Sequence, residues 1–383
     1  MKEVLSNNIN KIEISGIRRF FNKVELVPEA VSLTLGQPDF SVPENIKKAM
    51  IDAVNENKTT YTSNAGIIEL RKEITKYLKG FSIEYSPNEI CLTIGGSEAL
   101  MDVFAALLNT GDKVLIPTPA YPAYESCTNV LGGKPVFYNL KQDFSIDIDL
   151  LDNIIKTEKP KILVLSYPSN PTGAVLSKEI RNKLYEVVRN NDIVVVSDEI
   201  YSSICFENEY YSIAQYKDIK DKVILVSGFS KMFSMTGLRL GFVCAVDSYM
   251  KGIMKMHQYN VSCAPSIAQW GAYEGLRSCL SDVEAMKKEF MKRRDYVFNR
   301  LKAMGFEVNL PQGAFYIFPK IDIFKMNSEY FCERLLNEGK VAMVPGSAFG
   351  TGGEGYMRIS YSYSMQQLKE GLDRLENYLK NKI

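Results

Sequence analysis

"SGFSKMFSMTGLRLGF", Ser227–Phe242, is the stretch on which the reading of the chain turns. It grows out of one apolar run, "KVILVSGFSK" (Lys222 to Lys231), and leads into another, "RLGFVCAV" (Arg239 to Val246). Lys231 stands among small and apolar residues, and Arg239 follows between Gly237 and Gly241. Desolvation and a neighbouring cation both lower a lysine's pKa, which is what an amine needs to act as a nucleophile or to carry a proton.

Outward from this stretch, "KVLIP" (Lys113 to Pro117), "KILVLSYP" (Lys161 to Pro168) and "DIVVVSDEIY" (Asp192 to Tyr201) are nearly continuous in Val, Ile and Leu. Strands buried on both faces read this way. Between the last two lies "SKEIRNKLYEVVRN", a helix with Ser177 as N-cap and Glu179 in its first turn. The chain is therefore expected to be α/β, with a mostly parallel central sheet flanked by helices. The ends read differently. Ile14, Ile17, Phe20 and Val24 recur at helical spacing, then "AVSLTLGQPDF" is extended, and after Met291 the order is helix, strand, strand, helix. The expected division is an N-terminal arm with part of a small domain over 1–45, a large domain over 46–290, and a smaller α+β domain over 291–383.

Lys+Arg 46 against Asp+Glu 45 leaves a net charge of +1 over 383 residues, so no basic excess points to nucleic acid or an anionic membrane. The opening "MKEVLSNNINKIEISGIRRF" has no apolar core of a signal peptide, and no run nears the roughly 18 apolar residues of a membrane span. A cytoplasmic protein acting on small molecules is expected. Seven cysteines with no CxxC pair suit reduced, mostly buried thiols rather than zinc. The one histidine, His257, excludes a multi-histidine metal site within the chain and disfavours a Ser-His-Asp hydrolase. It reads as a structural or pocket-wall residue, and no metal is expected.

In open α/β sheets ligands bind beyond the carboxyl ends of the strands. Asp198 closes one strand, with Tyr201 just past it, and Ser227 to Lys231 close the next. "YPSNPTG" places Asn170 in a turn, and "PTPAYPAY" offers Tyr121 as an aromatic plate. "LTIGGSEALMDVF" reads as a strand, a Gly95-Gly96-Ser97 turn and a helix whose first N–H groups are free to hold an anion. Pyridoxal phosphate uses such a set: a lysine, a carboxylate for the ring nitrogen, hydrogen-bond donors, a ring to lie against and an anion cup. A dinucleotide site is disfavoured, since "IGGSEAL" is not GxGxxG.

"GFSKMFSMTGLRLG", "SNPTG", "SDEIY", "YTSNAGIIELR" and "YMRIS" together resemble the class I and II aminotransferases, the fold type I pyridoxal-phosphate enzymes, over almost the whole chain. The resemblance implies pyridoxal 5′-phosphate attached to Lys231, which also shuttles the substrate proton. It implies Asp198 on the ring nitrogen, Asn170 and Tyr201 on the phenolic oxygen, and Tyr121 stacked on the ring. Ser97, Ser230 and Arg239 match phosphate contacts, with N–H groups from Gly96 and Glu98; Ser227 is an alternative to Ser230. Tyr61 matches a tyrosine that reaches the neighbouring subunit's phosphate, so a homodimer with shared sites is implied. Arg358 matches the grip on the substrate α-carboxylate, helped by Asn170 and the Gly36 backbone, with Ile17 near the side chain.

"EISGIRRF", "LGQPDF", "HQYNVSCA" and "GEGYMRIS" look most like the bacterial aminotransferase A group, linked to N-acetyl-L,L-diaminopimelate and lysine synthesis. The region of "MHQYNVSCAP", where dicarboxylate-type aspartate aminotransferases carry an arginine, has none. The expected distal pocket is formed by Gln258, Tyr259 and Asn260 facing Gly16 and Ile17. It suits N-acetyl-L,L-diaminopimelate or an aromatic amino acid, with 2-oxoglutarate as acceptor, unless Arg18 or Arg19 reaches the site. The alternatives are an aspartate aminotransferase or a C–S β-lyase on the same fold.

Overall fold

The structure, a computed structural model, describes residues 4–207 and 209–382. Its central sheet has seven strands: β1 (Ile90–Thr93), β2 (Lys113–Thr118), β3 (Lys134–Asn139), β4 (Ile162–Ser166), β5 (Val194–Asp198), β6 (Val223–Gly228) and β7 (Gly241–Cys244). Their spatial order is β1-β7-β6-β5-β4-β2-β3, parallel except for β7, which runs against both neighbours. Successive strand residues serve two cores, as a pleat requires. Leu163, Val195 and Leu225 face one core; Val164, Val196 and Ile224 face the other. The strand β3 was not anticipated from the sequence. It is an edge strand carrying Pro135 and exposed Lys134, and an edge is where a sheet tolerates proline.

The helices that matter below are α1 (Gly16–Glu25), α2 (Gly95–Leu107), α3 (Ala123–Val130), α4 (Lys178–Asn190), α5 (Asp247–Asn260), α6 (Ser266–Ser278) and α7 (Leu280–Ala303). Ser177 caps α4 as expected, its Oγ accepting from the Ile180 N–H at 3.2 Å. A cap of this kind is worth about 1 kcal/mol. Helix α1 begins only at Gly16, so Ile14 lies before it and is exposed, while Phe20 and Val24 are buried.

Both chain ends meet in a smaller layer. Val31–Ser32 pairs in parallel with Val341–Ala342, and a three-stranded antiparallel sheet joins 344–345, 357–360 and 316–317. The boundary expected at residue 291 falls inside α7, which runs unbroken for 24 residues between the layers. The seven cysteines are all free, six of them buried. Among the described residues no helix is long and apolar enough to cross a membrane.

Register fixes the site. Ser166 lies beside Asp198, and Asp198 beside Val226, so β4 and β5 end level while β6 runs on two residues further, to Gly228. Across from Gly228, Gly241 has no room for a side chain: a Cβ there would lie 2.7 Å from the Gly95 carbonyl carbon. The N-terminus of α2 is thereby seated directly against the strand ends.

Candidate active site

Beyond those strand ends a cavity of about 420 Å³ opens. Its walls include Gly96 and Ser97 from α2, Tyr121, Asn170, Asp198, Tyr201, Ser230, Lys231 and Arg239 from the strand-end segments, Ile17 from α1, and Gly36 and Arg358 from the smaller layer. Segments more than 300 residues apart thus line one space.

Four cations in this wall, Lys231, Arg239, Arg358 and Arg18, have no carboxylate partner among the described residues. Lys231 Nζ donates to the Gly36 carbonyl at 2.6 Å. Burial, and then the Arg239 and Arg358 charges, press its pKa down to about 8. Arg239, in the left-handed region at φ 52°, donates from Nη1 to the Thr236 carbonyl at 2.8 Å. Arg358 is 2 % exposed and lies between the rings of Tyr316 and Phe349, 4.4 and 4.9 Å from their centroids. Its Nη1 donates to Asn170 Oδ1 at 2.8 Å and its Nη2 to the Thr34 carbonyl, while Nε is buried without a partner. A buried guanidinium held only by neutral groups is poised for an anion.

Among the described residues the one carboxylate in the wall is Asp198. Burial pushes it up from the usual carboxylate range, against the hydrogen bonds it accepts from Tyr124 and the Ile200 N–H. The Tyr124 hydroxyl donates to Asp198 Oδ2 at 2.8 Å and lies 3.0 Å from Ser166 Oγ. A cationic N–H beside Asp198 would favour its ionised form. The Tyr201 and Tyr316 hydroxyls are 2.7 Å apart. Gly36 must be glycine, because a Cβ there would lie 1.8 Å from the Tyr316 hydroxyl.

This donor set fits pyridoxal phosphate. The start of α2 with Arg239 makes an anion cup, and a Cβ on Gly95 would stand 2.7 Å from Arg239 Nη2 and close it. The same wall supplies one carboxylate, Asp198, and one amine, Lys231.

Three candidates stand outside the cavity wall. Ser227 is buried and turns its hydroxyl to the Glu199 carbonyl at 3.1 Å, which leaves Ser230 on the wall. Glu98 turns its carboxylate away, to the Ile94 N–H and to His257. Tyr61 is 87 % exposed, away from its own chain's cavity. The distal pocket expected from "HQYNVSCAP" is not there. Tyr259 is exposed, Gln258 is exposed, and Asn260 donates to Asp102 at 2.8 Å. They occupy the last turn of α5, off the wall. Gly16 is also off this wall and lines a neighbouring cavity. Arg18 does line the wall and makes no ion pair among the described residues, whereas Arg19 pairs with Glu13 and Glu329.

Sequence reasoning missed Tyr124, Tyr316 and Thr34. Tyr124, in the first turn of α3, follows Tyr121 by three residues, and their ring centroids lie 5.8 Å apart.

The class I and II aminotransferase family matches residues 28–375. The chain is 44% identical over 386 residues to a probable N-acetyl-LL-diaminopimelate aminotransferase of Bacillus subtilis, covering 100% of this chain and 97% of that one. Among solved structures, the aromatic aminotransferase from Pyrococcus horikoshii is 39% identical with a TM-score of 0.90, covering 95% of this chain and 99% of that one. The aspartate aminotransferase from Thermus thermophilus with maleate is 31% identical with a TM-score of 0.93, covering 98% and 99%. The family implies pyridoxal phosphate. The strand-end cavity, the fold and these likenesses agree: the chain belongs to the class I and II aminotransferases and is a transferase.

Proposed function

We propose that the chain moves an amino group from an L-amino acid to 2-oxoglutarate, using pyridoxal 5′-phosphate, with N-acetyl-L,L-diaminopimelate or an aromatic amino acid as donor. The observation that carries the reading is the group of unpaired cations, Lys231, Arg239 and Arg358, around Asp198, the one carboxylate among the described residues of that wall. Such a wall takes a phosphate, a carboxylate and a protonated ring nitrogen together.

When bound, the cofactor supplies an electron sink for the pair left as the substrate Cα loses its proton. The chain does the rest. Asp198 keeps the ring nitrogen protonated, and Tyr124 orients Asp198. Asn170 and Tyr201 donate to the phenolic oxygen, and Tyr121 forms the side wall. Ser97, Ser230, Arg239 and the N–H groups of Gly96 and Glu98 hold the phosphate. Arg358 and Asn170 hold the substrate α-carboxylate, with Gly36 beside them and Ile17 over the side chain. The Lys231 amine would carry the proton between the substrate Cα and the cofactor carbon C4′, on the other side of the amino nitrogen. Tyr61, exposed in its own chain, serves the phosphate of a second copy, so the working unit is a homodimer in the cytoplasm.

The donor rests on likeness to the Bacillus subtilis relative. A second reading has an observation of its own. Arg18 on the cavity wall offers a counter-charge for a short distal carboxylate, which favours aspartate. The test is kcat/KM for a donor panel at fixed 2-oxoglutarate. N-acetyl-L,L-diaminopimelate or an aromatic donor ahead of aspartate supports the first reading, and aspartate ahead supports the second. Product formed from a cysteine conjugate with no 2-oxo acid present would mean a C–S lyase instead.

A further inference from the structure

Beneath the first turn of α2 lies a buried charged cluster that the reaction does not use. Glu98 Oε2 accepts from the Ile94 N–H at the mouth of the phosphate cup, and Oε1 lies 2.9 Å from His257 Nδ1. His257 Nε2 lies 2.9 Å from the carbonyl oxygen of Asn64. Asp102 places Oδ2 3.6 Å from the same Nδ1, and that oxygen has no hydrogen-bond partner. A carbonyl oxygen can only accept, so Nε2 carries a hydrogen. Nδ1 faces two carboxylates, so it carries one as well. The groups facing the ring are Glu98 and Asp102 of α2, Cys91 of β1 and the Asn64 carbonyl; among the described residues no Lys or Arg pairs with either carboxylate. Burial opposes the charge, but the contacts with Asp102, Cys91 and Glu98 outweigh it and raise the ring's pKa to about 12.

Asn64 belongs to the loop that carries Tyr61, and that loop is fastened at other points too. Asn64 Nδ2 donates to the Ser262 carbonyl at 2.6 Å, and Gln269 Nε2 donates to Thr62 Oγ1 at 3.1 Å. The Leu92 N–H of β1 donates to the Ala65 carbonyl at 3.1 Å, and His257 adds a side-chain link from the loop to the first turn of α2.

We propose that His257, as an imidazolium, is a positioning residue that clasps the phosphate cup, through Glu98, to the Tyr61 loop, through Asn64, so that ordering one orders the other. The inference rests on the cofactor reading above. In a dimer it would link the phosphate held by one chain to the contact that the same chain makes with its partner's phosphate.

His257 is the one histidine in the sequence, so ¹⁵N-histidine labelling reports on a single imidazole. Both nitrogens should carry protons from about pH 6 to about pH 9, where a free histidine would lose one. A neutral ring in that range, or a nitrogen that gives up its proton to added Zn²⁺, overturns the clasp. The coupling is read by amide exchange in Tyr61→Phe, which lacks the direct hydroxyl contact. There, pyridoxal phosphate should slow exchange at residues 61–66 about tenfold, as local opening is suppressed. Adding His257→Gln should abolish that protection while residues 94–98 stay protected. Protection at 61–66 that survives the second substitution overturns the coupling. Glu98→Ala, which spares the buried ring, should give the same loss and serves if His257→Gln does not fold. A wild-type chain that takes up no pyridoxal phosphate would sink the cofactor reading, whereas the imidazole spectrum of the free protein judges the clasp by itself.

Discussion

Asp198 stands on a strand end of one sheet, and Ser97 and Lys231 on the first turns of helices that directly follow its strands. Ile17, Arg18, Gly36, Tyr316 and Arg358 come from the two ends of the chain and meet only across the fold. In the first set a hydrogen-bonded ladder sets the spacing: Ser166 beside Asp198, Asp198 beside Val226. In the second, position depends on packing between short pieces, such as Gly36 against Tyr316 and Arg358 between two rings. A ladder holds one geometry; loop-and-terminus packing can be altered piece by piece. The similar proteins carry diaminopimelate, aromatic and aspartate in their names over one fold, which is what a fixed cofactor half and a variable substrate half would produce.

Substitutions in the two halves should therefore fail differently. Lys231→Ala should lower turnover on the order of ten-thousandfold or more with every donor, as removal of a covalent group does. Single-turnover kinetics check this. Asp198→Ala should keep cofactor and lose about a hundredfold or more in kcat, on the order of 3 kcal/mol of electrostatic stabilisation. Unchanged kcat would remove Asp198 from the mechanism. In the substrate half, Arg358→Lys should raise KM for all donors alike, because a point charge replaces a planar fork. Arg18→Ala should raise KM roughly tenfold to a hundredfold for aspartate and 2-oxoglutarate and leave alanine untouched, the loss of one charge-assisted contact. Equal effects on alanine and aspartate would mean that Arg18 only supports α1.

The smallest effect is one of pH. Below about 8 the Lys231 amine is mostly protonated in the cofactor-free protein. The rate of pyridoxal phosphate uptake should rise about tenfold from pH 7 to pH 9 and then level off, following the free amine. A flat profile would mean that the amine is not the group that reacts.

How much of this could be read beforehand follows the same division. Asp198, Lys231 and Ser97 were legible because strand, turn and helix are local patterns, and ligands gather at strand ends. Ser177 was legible as a cap for the same reason. Tyr316 and Thr34 were not, since nothing local tells a tyrosine in "GAFYIFP" that it will meet Tyr201 or Arg358. The tail of α5 was misplaced because matching "HQYNVSCAP" to a family region gives a position along the chain, not the face that meets the cavity. The strand β3 was overlooked because Pro135 argues against a strand everywhere except at an edge.

The central claim is that one lysine, in the helical turn just after β6, holds the cofactor. Borohydride reduction of the protein loaded with pyridoxal phosphate, followed by peptide mapping, tests it most directly. The account predicts a pyridoxyl group on Lys231, in the peptide that contains "SGFSKMFSM", and on no other lysine. A label on any of the other lysines, with Lys231 unmodified, would contradict it.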